Sequence, residues 1–211
     1  AMFSKRGNGF ANLEAYGKDL LLDQLSPGDV DTGRVEGKLN ALQVSYTARV
    51  MLWNAHTFER ARLLLPRTWD EVLASGPAFK TRLGDAYHPM DGELYDMILL
   101  SQTYIHQKYG MAYLEKKPGQ PTRVAMPIEA AREWVATYRH LVDSHTATSL
   151  PLRASLGGAE KPTEQQQDWV QGRWAGNYTW DSVISLREST LKKPQQLVLG
   201  ELPVLPAARN S

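Results

Sequence analysis

The sequence predicts an α/β fold with a sheet flanked by helices, and three observations carry that prediction. Runs rich in Val, Leu and Tyr at residues 39–44 and 48–53, and a further β-prone run at 196–199, are separated by longer stretches whose apolar residues recur at helical spacing. Helices and short strands alternate in this way along the chain, as in a layered α/β domain. The third observation is the stretch Gly172 to Asp181, which gathers Trp174, Asn177, Tyr178 and Trp180 in the pattern of a short strand running into a helical pattern at 181–188.

In chain order, residues 2–9 are polar and Gly-rich, and Phe10 to Tyr16 form a short amphipathic stretch with Leu13 and Tyr16 on one side. Leu20, Leu21 and Leu22 follow. Ser26 is placed to cap a helix whose first position is Pro27, because proline has no N–H to waste there. Glu36 to Lys38 read as a turn, and strands are expected over 39–44 and 48–53. Asn54 opens a short helix to about Arg62. Thr68, with Glu71 three residues on, forms a capping box for a helix over 68–83, bent near Gly76 and Pro77. Asp91, Gly92 and Glu93 open a long amphipathic helix through Tyr109, with Leu94, Met97, Ile98, Tyr104 and Ile105 at helical spacing. Residues 115–122 are a Lys, Pro and Gly loop. Pro127, at a first helical position, starts a helix over 128–144 whose buried stripe is Trp134, Val135, Tyr138, Leu141 and Val142. Residues 146–158 are loop-like, 160–169 are polar and helical at their end, and a strand over 196–199 heads into Pro203 and Pro206.

An apolar content of 42% with 22% charge is that of an ordinary globular chain, so disorder is not expected. No apolar run reaches the roughly 18 residues of a spanning helix. The chain does not open on a basic-then-apolar signal peptide, so export would be encoded upstream. With a net charge of +1 and the cations scattered among acids, no nucleic-acid partner is implied. The absence of cysteine excludes disulfides and thiolate metal sites. No cofactor or metal is expected. Catalytic signatures are missing: there is no His-Glu-x-x-His pair, no phosphate loop and no Gly-x-Ser-x-Gly elbow, and His56, His88, His106, His140 and His145 lie apart. A glycosidase would need two carboxylates across a cleft, types that Glu93 and Asp181 could supply. Aromatic rings beside amide and carboxylate groups, as in 172–181, suit a sugar, whose rings have an apolar face and a rim of hydroxyls. Trp180 reads as a stacking platform at a strand-to-helix junction, against the alternative that Trp174 and Trp180 are both core aromatics.

Several blocks support a comparison. Gly37 to Leu42, Ser45 to Asn54, Leu65 to Glu71, Tyr138 to His145 and Gly172 to Asp181 resemble, in the same order, the extracellular solute-binding proteins of sugar ABC importers. Within that family, Phe3 to Lys5, Ser45 to Arg49 and Lys80 to Tyr87 are most similar to oligogalacturonide-binding proteins. The resemblance implies a type II periplasmic-binding-protein-like α/β fold with two lobes joined by hinge strands and the sugar between them. It places residues 1–44 in a partial first lobe, 45–199 in a second lobe and 200–211 at the start of a return crossing, so the chain looks like an interior segment. Arg62, Leu64, Gln43 and Ala207 depart from the family's turn residues, with Arg62 standing where Gly is usual after a helix.

What the resemblance implies for function is a substrate-binding component of an importer, periplasmic or extracellular, without enzymatic activity. Its partners would be an oligosaccharide, with an acidic one such as an oligogalacturonide expected, and the permease subunits, with self-association of the chain through residues 1–44. A truncated copy acting only as a structural domain, and a carbohydrate-active enzyme, are the alternatives. Ligand-facing positions are Ser45, Tyr46, Arg49, Glu93, Tyr95, Asn177, Trp180 and Asp181. A planar guanidinium at Arg49 can grip a uronic carboxylate by two parallel hydrogen bonds, or pair instead with an acid of its own fold. Asp96, adjacent in the same helix turn, is expected to serve the helix dipole.

Overall fold

The computed structural model describes residues 9–110, 113–115, 117, 121–157 and 161–205. Half of the loop expected over 115–122 lies outside them, as does Ala207. The chain divides into two compact units, with the division after Thr47.

In the first unit, α1 (Pro27–Thr32) starts as its sequence dictates: Ser26 Oγ accepts the Asp29 N–H at 3.2 Å, and Pro27 takes the first position. β1 (Arg34–Val35) and β2 (Lys38–Leu39) form a hairpin around Glu36 (φ 49°) and Gly37 (φ 79°), the doubly left-handed geometry of a two-residue turn. The strand expected over 39–44 stops at Leu39. Beyond the Asn40 N–H, which reaches the Gly33 carbonyl, residues 40–47 have no ladder partner, and Val44 is 93% exposed. Leu39 is the one buried apolar side chain among the described residues of this unit; Phe10, Tyr16, Leu20 and Leu21 are exposed.

The second unit is built on β3 (Arg49–Asn54), the central strand of a three-stranded antiparallel sheet between β6 (Gly176–Trp180) and β7 (Leu197–Gly200). Between them run α2 (Ala55–Arg60), α3 (Trp69–Leu83), α4 (Leu94–Tyr109), a small hairpin of β4 (Leu114–Glu115) and β5 (Arg123–Val124), α5 (Ile128–Asp143), α6 (Leu150–Ser155) and α7 (Gln167–Val170). α8 (Ile184–Ser189) follows β6 through one 3₁₀ turn at Asp181–Val183. Side chains alternate across the sheet. Met51, Trp53 and Tyr178 join Trp69, Val72, Phe79, Met97, Leu100 and Leu141 of α3, α4 and α5 in one core, while Leu52 packs with Trp169, Trp174 and Leu197 in another.

Trp53 sets the register. It stands opposite Gly176 in β6, and Gly200 in β7 lies opposite Met51. A Cβ at Gly176 would fall 2.4 Å from the indole ring, and one at Gly200 would fall 2.3 Å from it. The ring therefore occupies the space that two neighbouring side chains would need. Phe58 meets it edge-on at 5.2 Å, and Phe79 meets Phe58 at 5.0 Å.

The helix caps follow the sequence closely. Asn54 caps α2 by accepting the Thr57 N–H, and Thr68 with Glu71 makes the expected capping box at α3. Pro77 inside α3 cannot donate to the Leu73 carbonyl, and the Thr146 hydroxyl lies 3.4 Å from that oxygen. At α5 two expectations change. Pro127 sits one position earlier than expected, as the cap residue with ψ 151°. Ala130 and Leu141 are buried and Trp134, Tyr138 and Val142 are half-buried, but Val135 is 60% exposed, because α5 packs along α4 and only part of its stripe is covered.

Two residues after α2, Arg62 has φ 54°. An L-residue pays roughly 1 kcal/mol there that glycine does not. Arg62→Gly should raise stability by about 0.5–1 kcal/mol, read as a higher urea midpoint at unchanged slope. A lower midpoint would mean that the guanidinium contributes more to the fold than its backbone costs.

Candidate functional site

The first residue of β3, Arg49, lies directly opposite Trp180, the last of β6. The start of α4 is tied to the far end of β6, where the Asp91 N–H bonds the Gly176 carbonyl at 2.8 Å, and from there its first turn runs alongside β6 until Asp96 reaches Arg49. Asp91 is itself fully buried, and its carboxylate accepts from Arg153 and from the Thr163 hydroxyl. Burial pushes its carboxyl above the ordinary range, against the pull of Arg153. Gly92 follows because a Cβ there would collide with the Thr148 carbonyl at 1.7 Å. Glu93 then caps α4, its Oε2 accepting the Asp96 N–H at 2.8 Å.

These constraints gather a cluster around one guanidinium. Arg49 Nη1 donates to Asp96 Oδ1 at 2.5 Å and to the Tyr178 carbonyl at 3.2 Å. The Arg49 and Asp96 side chains are 9% and 8% exposed. Three rings surround the guanidinium carbon, with Trp180 at 4.7 Å, Tyr95 at 5.0 Å and Tyr178 at 5.4 Å from ring centroid. Tyr178 is buried, whereas Tyr95 and Trp180 are 57% and 40% exposed and present ring surface to solvent. Asn177 donates to Asp96 Oδ2 at the limit of hydrogen-bond reach, 3.5 Å. Arg49 Nε, Asn177 Oδ1 and Asp181 Oδ1 are buried without a hydrogen-bond partner. A cavity of about 330 Å³ continues from Arg49 and Tyr178 past Gln102, Thr103, His106 and Tyr113.

Burial pushes the Asp96 carboxyl above its ordinary value, while Arg49 pulls it down and Glu93 and Asp91 add to the rise. Desolvation thus outweighs the attraction of the ion pair. Tyr178 is raised as well, chiefly by burial.

Of the residues singled out from sequence, Arg49, Glu93, Tyr95, Asn177, Trp180 and Asp181 come together here. Ser45 and Tyr46 belong to the first unit, where both are exposed and the Tyr46 hydroxyl donates to Asp29. Trp174 and Trp180 part company, since Trp174 is fully buried and Trp180 is not. Arg49 takes the pairing with an acid of its own fold, and that acid is Asp96. Sequence reasoning gave Asp96 to the helix dipole and passed over Tyr178; the signal for Tyr178 was strand parity, since it shares a face with Trp180 two residues on.

A periplasmic solute-binding protein from Pectobacterium atrosepticum matches with a TM-score of 0.86 at 33% identity, over 98% of this chain and 50% of that one. A periplasmic oligogalacturonide-binding protein from Yersinia enterocolitica, solved with saturated digalacturonic acid, matches at 37% identity and the same TM-score and coverage. The chain has half of the fold of a type II periplasmic solute-binding protein. It spans about half the length of the solved structures it matches. A de novo designed cysteine esterase also matches, at 36% identity and TM-score 0.81 over 97% of this chain and 49% of its own. No family model and no curated protein matches the chain.

Asp96→Asn should cost about 3 kcal/mol, because it leaves the Arg49 guanidinium buried without a counter-charge. Replacing both partners, Arg49→Met with Asp96→Leu, should recover most of that loss in urea midpoints. A double variant as unstable as the single one would show that the pair contributes more than its own neutralisation.

Proposed function

We propose that the chain carries the sugar-stacking wall of the substrate-binding component of a carbohydrate ABC importer, periplasmic or extracellular and without catalytic activity. The observation that carries this reading is the pair of exposed rings, Tyr95 and Trp180, held over Arg49 at the end of the sheet. A sugar needs a flat apolar surface beside hydrogen-bonding groups, and the rings supply the first while Asn177, Asp181 and Glu93 supply the second. The likeness to proteins named for binding solutes and oligogalacturonides supports the class of ligand. In this reading the unit from Ala48 is the second lobe, residues 1–44 are part of the first, residues 200–211 begin a return crossing, and Ser45 and Tyr46 contribute from the hinge.

An acidic oligosaccharide is the ligand we favour: a uronic carboxylate stacked beside Trp180 would sit near the Arg49 charge and its remaining N–H groups. A neutral oligosaccharide is the second reading, favoured by the formal charge of the cluster, in which the one cation, Arg49, is already paired with Asp96 and the carboxylates of Glu93 and Asp181 belong to the same cluster.

Tryptophan fluorescence titration with digalacturonate, and with maltose as the neutral control, separates the two readings. We expect tighter binding of digalacturonate, and a loss of about 1–3 kcal/mol in Trp180→Ala. Tighter binding of maltose would reverse the ligand assignment. An affinity unchanged in Trp180→Ala would remove the stacking platform, and shortened oligosaccharide after incubation would make the protein an enzyme.

A further inference from the structure

Beyond the C-terminus of β3, at the opposite end of that strand from Arg49, the short helix α2 ends among three arginines. Arg60 stacks on Tyr87, its guanidinium carbon 5.2 Å from the ring centroid, and both its terminal nitrogens reach the Tyr87 hydroxyl at 3.3–3.4 Å. Arg82, from the last turn of α3, donates through Nη1 to the carbonyls of Ala61 at 2.7 Å and Arg62 at 3.0 Å. Arg62 lies between them in left-handed geometry. These three side chains together line an open cavity of about 490 Å³. None of the three forms an ion pair among the described residues. Of the acids nearby in sequence, Glu71, which lines the larger groove described next, binds the backbone N–H groups of Arg67 and Thr68, and Asp85 pairs with Lys80; Glu59, next to Arg60, is exposed and forms no ion pair among the described residues.

Convergence of like charges is unfavourable without a counter-charge, and here two of the three guanidiniums are fixed by contacts with their own fold. Arg62 adds to the cost, since glycine would relieve its backbone. Sharing Arg62 with this cavity is a larger groove, about 750 Å³, whose floor is the segment from Leu63 to Pro66. Leu64 on that segment is 93% exposed. Cationic and apolar surface therefore adjoin at Arg62, on the segment that links α2 to α3.

We propose that this groove docks an extended acidic segment of a partner protein, with two or three of its carboxylates in the arginine cavity and an apolar side chain on Leu64. Guanidiniums match carboxylates in geometry, and a cavity of that size exceeds what a single small anion fills. The surface lies away from the cluster around Arg49, so it is available whether or not that cluster holds a ligand.

Fluorescence anisotropy of a labelled peptide containing three glutamates and one leucine tests this, with the same peptide carrying glutamine for glutamate as control and pyrophosphate as a competing small anion. Binding should weaken about fivefold in Arg62→Gly and about tenfold or more when Arg60→Gln is added, and should fall steeply at roughly 0.5 M salt. Leu64→Ser should weaken the peptide but leave pyrophosphate unaffected. Urea midpoints confirm that each variant is folded, and Arg62→Gly serves best because its backbone favours the change. Equal affinity for the glutamate and glutamine peptides, no binding of the glutamate peptide at about 1 mM, or micromolar binding of pyrophosphate that excludes the peptide would each overturn the proposal.

Discussion

The packing of Trp53 against two glycines is the constraint from which the rest of the second unit follows. A central strand with a fully buried indole can only pair with neighbours that leave room for the ring, and Gly176 and Gly200 leave it. Shifting β6 by one residue would bring a side chain into that space and turn every β6 side chain to the other face. With the register fixed at Trp53 and Gly176, Arg49 must lie opposite Trp180 and Met51 opposite Tyr178. The cluster at the end of the sheet is in this sense a consequence of core packing four residues away.

Its electrostatics come from a second layer of constraint. The link into α4 at 91–93 is held by a buried aspartate that satisfies Arg153 and Thr163, and by a glycine that admits the Thr148 carbonyl. That link delivers the first turn of α4 to the edge of β6, where Asp96 neutralises Arg49. Both buried carboxyls are raised by desolvation, so these ion pairs fix geometry at an electrostatic cost that the apolar cores offset. What remains exposed is ring surface: Tyr95 and Trp180 carry the apolar side of the cluster while the charge sits beneath them.

Much of the helical architecture was legible because caps are local. Ser26 with Pro27, Asn54, and Thr68 with Glu71 all act within three residues, a range that sequence displays directly. The aromatic junction was legible for the same reason, since its strand, turn and helix are contiguous. Non-local pairing was not. Residues 41–44 have the composition of a strand but no ladder neighbour, and Arg49 finds Asp96 across 47 positions. Trp174 and Trp180 look alike in sequence; one sits before the ladder in a second core, the other at its exposed end. Val135 belongs to the apolar stripe of α5 yet stays exposed, because periodicity reports a face without reporting whether anything covers it.

The central claim is that Trp180, and none of the other tryptophans, is the surface on which a sugar stacks. The chain has six tryptophans, so the six indole N–H resonances in a nitrogen-edited NMR spectrum distinguish them once assigned. Titration with digalacturonate or maltose should move the Trp180 resonance and leave those of Trp53, Trp69, Trp169 and Trp174 in place. A stationary Trp180 resonance while another indole shifts would contradict the account.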